Sequence, residues 1–268
     1  MPIFKYNDIK LYYIKEGVGE PLVLISGLGS KMSWIFQIPF FKERMTVITL
    51  HNRGTGKSSR PNYPYTMEMY LEDIRQLLEF LNIKEKIHLC GISMGGMIAQ
   101  HYVLKYPETV KTLILCATTP YHPESALKSI IESQEIMDKF ELEHKLNVRI
   151  GALYSRPFRK QLRKDKGLYE KIRKNYIEDP TTLQDWKNQG AAINNHDTRD
   201  SLYYIKQPTL ILVGAEDRII MGPEHYRVLH EKISNSKLEI IRNVGHRFVD
   251  EQPELVNNII WQFIKENL

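Results

Sequence analysis

The sequence predicts an α/β fold: a mostly parallel central sheet flanked by helices on both faces, interrupted by one helical insertion. Three observations carry this expectation. Short runs rich in leucine and β-branched residues alternate with helical patterns along most of the chain. Most of those runs are apolar throughout, as strands covered on both faces must be. From about Tyr121 to Tyr204 the alternation stops, and the segment is charged, mainly helical in pattern and broken by Pro157 and Pro180. A structureless loop of that length is improbable in a compact domain, so a helical cap is expected.

The elements follow in order. Strands are expected at "LYYIKE", "PLVLIS", "TVITL", "KIHLC", "KTLILCA", "PTLILV" and "KLEII". A helix lies between "TVITL" and "KIHLC", with Tyr70, Ile74, Leu77, Leu78 and Leu81 on one face and Thr66 as its N-cap. A second follows "GISMGG" and ends near Tyr106-Pro107, and two more, around 223–233 and 253–267, flank the last strand. Residues 1–120 and 205–268 then form the core, and 121–204 the cap (a lid) inserted in it.

The 268 residues suffice for one large domain with an insertion, and 42% hydrophobic content supports a sizeable core. No apolar run approaches the roughly 18–20 residues that span a bilayer. The start, "MPIFKYNDIKLYYIKEG", breaks its apolar stretches with polar residues, unlike a signal peptide. A soluble, cytoplasmic protein with no membrane span is expected. Cys90 and Cys116 sit in apolar strand-like runs and read as buried thiols, so neither a disulfide nor a metal site is expected. The net charge of +5 is concentrated locally: nine Lys/Arg lie between Arg156 and Lys174, against Asp165 and Glu170. Such a run is a solvated helical face or an attractor of anionic substrates. Aromatic residues are not interleaved densely enough for nucleic acid binding.

"HNRGTGKSS" (51–59) ends like a phosphate-binding loop, yet the first glycine of that motif would stand at His51. Pro61 and Pro64 also delay the helix whose N-terminus would bind phosphate. Nucleotide binding is therefore not expected, and the glycines need another role.

Chemistry enters at Gly91-Ile92-Ser93-Met94-Gly95, a G-x-S-x-G run between an apolar strand and a helix pattern. A sharp strand-to-helix turn exposes the serine hydroxyl, and glycine is needed where a Cβ would meet neighbouring backbone. A serine nucleophile needs a base. Of nine histidines, His246 lies in the loop beyond a late strand, "LEIIRNVGHRF"; His51, at another strand end, is the second candidate. His88 and His101 read as structural. An orienting carboxylate comes from "PTLILVGAEDRII", where Glu216 and Asp217 are both available. Strand ends of an open α/β sheet converge on one crevice, so these loops can meet. Two N–H donors must face the oxyanion: Met94, after the nucleophile, and Leu28, in "SGLGS" after an early strand.

Together these segments resemble the α/β-hydrolase superfamily, in its branch with a lid between strands six and seven. The likeness covers nearly the whole chain through "SGLGS", "HNRGTGKSS", "GISMGG", "LVGAEDRII" and "NVGHRF". The family's G-x-x-D segment matches Gly214 to Asp217, which favours Asp217 over Glu216. The opening puzzle is similar to the family's D-x-R-G-x-G-x-S turn, which has a structural role. Here His51 stands for the usual Asp, and Ser26 for the usual His of the oxyanion loop. "SGLGSKMSWIFQ", with Trp34 and Gln37, is similar to 3-oxoadipate enol-lactonases and related small esterases. The resemblance implies an ester or lactone hydrolase with a Ser93-Asp217-His246 triad, a small-molecule substrate and no cofactor. Carbon–carbon bond hydrolysis, amide hydrolysis or perhydrolysis on the same triad is the alternative, and a non-catalytic receptor a remote one. Ser93 argues against dehalogenases and epoxide hydrolases, which use an aspartate nucleophile.

Overall fold

The computed structural model describes residues 2–194, 196–220 and 222–268. β1 (Ile3–Tyr6) and β2 (Ile9–Glu16) form an antiparallel hairpin. There follow β3 (Pro21–Ile25), α1 (Ile38–Phe41), β4 (Thr46–Leu50), α2 (Met67–Phe80), β5 (Ile87–Ile92), α3 (Met94–Lys105) and β6 (Val110–Cys116). Five helices come next: α4 (Glu124–Met137), α5 (Leu142–Leu153), α6 (Arg156–Lys164), α7 (Lys166–Ile177) and α8 (Leu183–Ile193). The chain then returns to the sheet through β7 (Thr209–Gly214), α9 (Pro223–Lys232), β8 (Ser236–Ile241), α10 (Phe248–Glu251) and α11 (Pro253–Lys265).

The eight strands lie in the order β1-β2-β4-β3-β5-β6-β7-β8, and all pairs from β4 to β8 are parallel. All seven expected strands are present; β1 was not among them. It has four residues, and its turn places Asn7 in the left-handed region at φ 46°, a conformation Asn tolerates.

Period-two alternation sends successive side chains to opposite faces. Val23 and Ile25 join the core under α2, α3 and α9; Leu22 and Leu24 join the core under α1 and α11. Both faces are thus buried, which is why these strands read as continuous apolar runs. β8 differs: as an edge strand it keeps Lys237 and Glu239 exposed, and such charges discourage edge-to-edge pairing.

Helix limits follow the sequence. Thr66 caps α2, its side chain accepting from Met69 N–H at 3.3 Å. α8 opens with a reciprocal capping box of Thr182 and Asp185. Residues 121–204 hold no strand among the described residues, only a single bridge between Tyr121 and Asp197. The inserted helices have an apolar cluster of their own: Leu146, Ile150, Tyr154, Phe158, Leu162 and Ile172. The basic residues of α6 and α7 are mostly exposed, matching the solvated-face reading. Cys90 and Cys116 are buried free thiols. Among the described residues no helix is long and apolar enough to cross a membrane.

Candidate active site

Ser93 sits between β5 and α3 with φ 56° and ψ −123°. A non-glycine residue is strained there and persists only when its surroundings fix it. They do. Ser93 N–H donates to Cys116 O at 2.9 Å, and Ser93 O accepts from Thr118 Oγ1 at 2.9 Å and from Gly96 N–H at 2.9 Å. The flanking glycines are required by space. A Cβ on Gly91 would lie 2.1 Å from Gly95 O, and one on Gly95 would lie 2.3 Å from Ile25 O.

Asp217 follows β7 and His246 follows β8, so both come from the carboxyl ends of parallel strands, as does Ser93. Asp217 Oδ2 lies 2.8 Å from His246 Nδ1. The other carboxylate oxygen, Oδ1, accepts from Ile219 N–H at 2.8 Å and Ile220 N–H at 3.0 Å, which fixes the carboxylate plane. Both side chains are buried. Glu216 is not the histidine's partner. Ser93 and His246 line the same cavity. Among the described residues no hydrogen bond joins Ser93 Oγ to the imidazole; contacts of this kind often tighten only with substrate bound.

The other candidate base is occupied elsewhere. His51 is buried, its Nδ1 accepts from Lys57 N–H at 3.1 Å, and it does not line the cavity. Burial, with Lys31 and Lys57 nearby, pulls its pKa down to about 4. The loop around it is a turn laid along β2: His51 N–H donates to Tyr12 O at 2.9 Å and Ser59 N–H to Lys10 O at 2.8 Å. His88 is buried between Thr112 and Glu20. His101 pairs with His196 at 3.0 Å.

Met94 follows Ser93 as the first residue of α3, and Leu28, in the loop after β3, lines the same cavity as Ser93. Neither amide N–H has an accepting partner among the described residues. Met94 opens α3, where amides lack intrahelical acceptors and the helix end carries positive potential. A Cβ on Gly27 would stand 3.1 Å from Ser93 Cβ, so this loop packs closely against Ser93. Ser26, at the unusual position, accepts from Ser33 N–H at 2.9 Å, and Asn52 Nδ2 donates to Ser26 O at 3.0 Å. Trp34 and Gln37 are buried and do not line the cavity.

The cavity has a volume of about 110 Å³ and is walled on one side by the sheet loops and on the other by α5 and α7. Two residues, one holding a lining loop and one on the cavity wall, escaped the sequence reading. Gln189 of α8 is buried and bridges two loops, receiving Gly29 N–H at 3.1 Å and donating to Gly54 O at 3.1 Å. Arg149 of α5 lines the cavity and donates to Leu28 O at 3.3 Å. A signal for Arg149 exists: it shares one helical face with Leu146, Ile150 and Leu153, at i+3, i+4 and i+7 spacing.

A half-buried serine on a strand–helix elbow and a histidine held by an aspartate, both lining one cavity, form an arrangement that can serve acyl transfer. The chain is 27% identical over 277 residues to 3-oxoadipate enol-lactonase 2 of Acinetobacter baylyi, covering 99% of each chain. It is 37% identical over 123 residues to a cis-3-alkyl-4-alkyloxetan-2-one decarboxylase of Shewanella oneidensis, a match spanning 43% of this chain and 38% of that one. A thermophilic esterase from Thermogutta terrifontis, solved with malate bound, superposes with a TM-score of 0.83 at 27% identity, covering 96% of this chain and 94% of the other. The profile of the alpha/beta hydrolase fold matches residues 20–253, and the chain belongs to that family.

Proposed function

We propose that the chain is a serine hydrolase of carboxylic esters, lactones included, working through an acyl-enzyme. The reading rests chiefly on the 2.8 Å contact between Asp217 and His246, which lines the same cavity as Ser93. Its relatives, an enol-lactonase and an esterase, point the same way.

In this scheme Ser93 Oγ attacks the acyl carbon as its proton passes to His246 Nε2. Asp217 holds Nδ1–H, fixes the tautomer and stabilises the imidazolium. Met94 and Leu28 amides receive the oxyanion. His246 returns the proton to the leaving alkoxide, and the acyl-enzyme remains. Water then adds to the acyl carbon with His246 as base, and the acid departs as the proton returns to Ser93. The helices of 121–204 act as a lid that excludes water and shapes the acyl pocket.

The test is hydrolysis of a chromogenic ester series, acetate through decanoate, by wild type and Ser93→Ala in parallel. Wild type is expected to turn over the short members fastest, given the small cavity, and Ser93→Ala to lose turnover by at least about 10⁴-fold. Undiminished activity in the variant rejects the scheme.

A further inference from the structure

The loop after β3 carries the Leu28 amide, and the inserted helices hold it at the next peptide. Leu28 O and Gly29 N–H belong to that one peptide unit. Leu28 O accepts from Arg149 Nη2 at 3.3 Å, and Arg149 is itself hydrogen-bonded to Tyr176 of α7. Gly29 N–H donates to Gln189 Oε1 at 3.1 Å, and Thr181 Oγ1 donates to Gly29 O at 3.1 Å. Gly29 takes φ 64°, and a Cβ there would lie 2.3 Å from Trp186 Cζ2, so an indole of α8 lies against the backbone at this point. The turn's own backbone bond is Ser30 N–H to Gly27 O at 3.2 Å.

Gln189 is fully buried, and its partners fix which end of its amide is which. Its oxygen meets an N–H, and its nitrogen, donating to Gly54 O at 3.1 Å, meets a carbonyl. A side-chain amide supplies one acceptor end and one donor end for such a pair. Gly54 is a firm anchor: its N–H donates to Ser59 O at 2.9 Å, and the neighbouring Arg53 is paired with Asp73. Gln189 therefore ties the loop after β3 to the turn after β4 through α8. A buried backbone group that loses its partner is costly, so rotation of the Leu28–Gly29 peptide is resisted at both of its polar edges. Only the φ and ψ of Leu28 separate its own N–H from that held peptide.

We propose that the insertion completes the oxyanion site as well as covering it: Gln189 is a positioning residue that, with Thr181, orients the Leu28–Gly29 peptide and through it the Leu28 amide that receives the oxyanion. This rests on the hydrolase reading above and deepens it. Displacing the insertion from the sheet then disarms the oxyanion site and opens the cavity in one movement.

Gln189→Met tests it, since the thioether keeps the length of the side chain but replaces neither hydrogen bond well. With para-nitrophenyl butyrate, kcat is expected to fall roughly 10- to 100-fold, less than removal of a whole oxyanion donor costs, while KM stays within about twofold. Thr181→Val moves kcat the same way by less, and carries the same tests if Gln189→Met fails to fold. Two inhibitors read the oxyanion itself. With a butyl trifluoromethyl ketone, Ser93 Oγ bonds the carbonyl carbon, the carbonyl π pair becomes the oxyanion and the serine proton passes to His246; the matching secondary alcohol forms no adduct. Ketone inhibition is expected to weaken roughly 10- to 100-fold relative to alcohol inhibition. An unchanged kcat, a rise in KM alone, or equal weakening of both inhibitors overturns the proposal, because each leaves Gln189 with packing only. Hydrogen exchange separates this idea from the hydrolase reading. Should wild type cleave no ester and bind no ketone, faster exchange across 26–33 in Gln189→Met, with 87–100 unchanged, still supports the clamp. Equal exchange in the two proteins, or acceleration spread evenly over both segments, overturns it.

Discussion

At the scale of single residues, Asp217 carries a prediction that separates orientation from charge. Its two oxygens are divided between His246 and the amides of Ile219 and Ile220. Asp217→Asn keeps the shape, but if its amide nitrogen faces His246 it holds the wrong tautomer, leaving Nε2 unable to accept the serine proton. Ester turnover is expected to fall by about 10³- to 10⁴-fold with unchanged thermal stability. Glu216→Gln, whose side chain does not contact the imidazole, is expected to stay within twofold of wild type. Comparable losses in the two variants would overturn the assignment of the acid. Ser93, Asp217 and His246 stand out as candidates in the sequence because each lies just beyond the carboxyl end of a strand, where the loops of a parallel sheet converge; the contact between Asp217 and His246 is what the structure adds. Glu216 and Asp217 could not be separated by residue type alone, since both are acids in one loop. Arg149 was hidden differently: a cation in a charged helical segment looks like solvated surface until its three apolar face-mates are noticed.

At the scale of elements, the "HNRGTGKSS" turn shows how a local reading stops short of its partner. Its glycines were expected to serve a turn, and Gly54 and Gly56 do adopt φ of 78° and 48°. The anchor was not legible. Arg53 Nε and Nη2 donate to the two oxygens of Asp73 on α2 at 2.7 and 2.6 Å, and Tyr6 of β1 donates to the same carboxylate. In the sequence Asp73 is one acid among several in "MEMYLEDIRQLLEF". Helix periodicity puts it beside Tyr70 and Ile74, yet cannot say whether it meets solvent or a buried cation. Removing one member of a buried pair strands the other charge. Asp73→Ala is therefore expected to lower unfolding stability by roughly 3–5 kcal/mol, read as a fall in denaturant midpoint. Replacing both members, Arg53→Met with Asp73→Leu, should cost less than Asp73→Ala alone, since no unpaired charge remains. A double variant that loses as much as the single one would show that packing of β1, rather than charge, dominates. The same Tyr6 contact fastens β1, whose four residues gave too short a pattern to be read as a strand.

At the scale of the whole molecule, the helical segment between β6 and β7 meets the sheet through a neck that holds a buried histidine, His196. Tyr121 bridges to Asp197, His122 N–H donates to His196 O at 3.1 Å, and Thr198 N–H to Pro120 O at 2.8 Å. Inside this neck the His196 ring lies between Thr119 O at 2.9 Å and His101 Nε2 at 3.0 Å. The arrangement suits neutral rings: His196 Nε2–H donates to the carbonyl while Nδ1 accepts from His101. A second proton on His196 would set two N–H groups against each other. Burial, opposed by the Thr119 carbonyl, pulls the His196 pKa from 6.5 down to about 3. The sign follows from linkage. Below pH 6.5 the unfolded chain takes a proton that the folded one refuses, so stability is intact at neutral pH and is lost as pH falls from 6.5 toward 3. At about 1.4 kcal/mol per pH unit, His196 alone removes about 2 kcal/mol by pH ~5. His51, with its pKa also depressed by burial, adds in the same direction. Glu251, raised by burial, works against them by taking a proton in the folded state. The difference between wild type and His196→Gln isolates the neck. The variant is expected to be less stable at pH ~7, where it disturbs a satisfied pair, but to lose about 2 kcal/mol less than wild type on going to pH ~5. Urea unfolding at the two pH values measures both quantities, and parallel losses in the two proteins would remove His196 as the source of acid sensitivity.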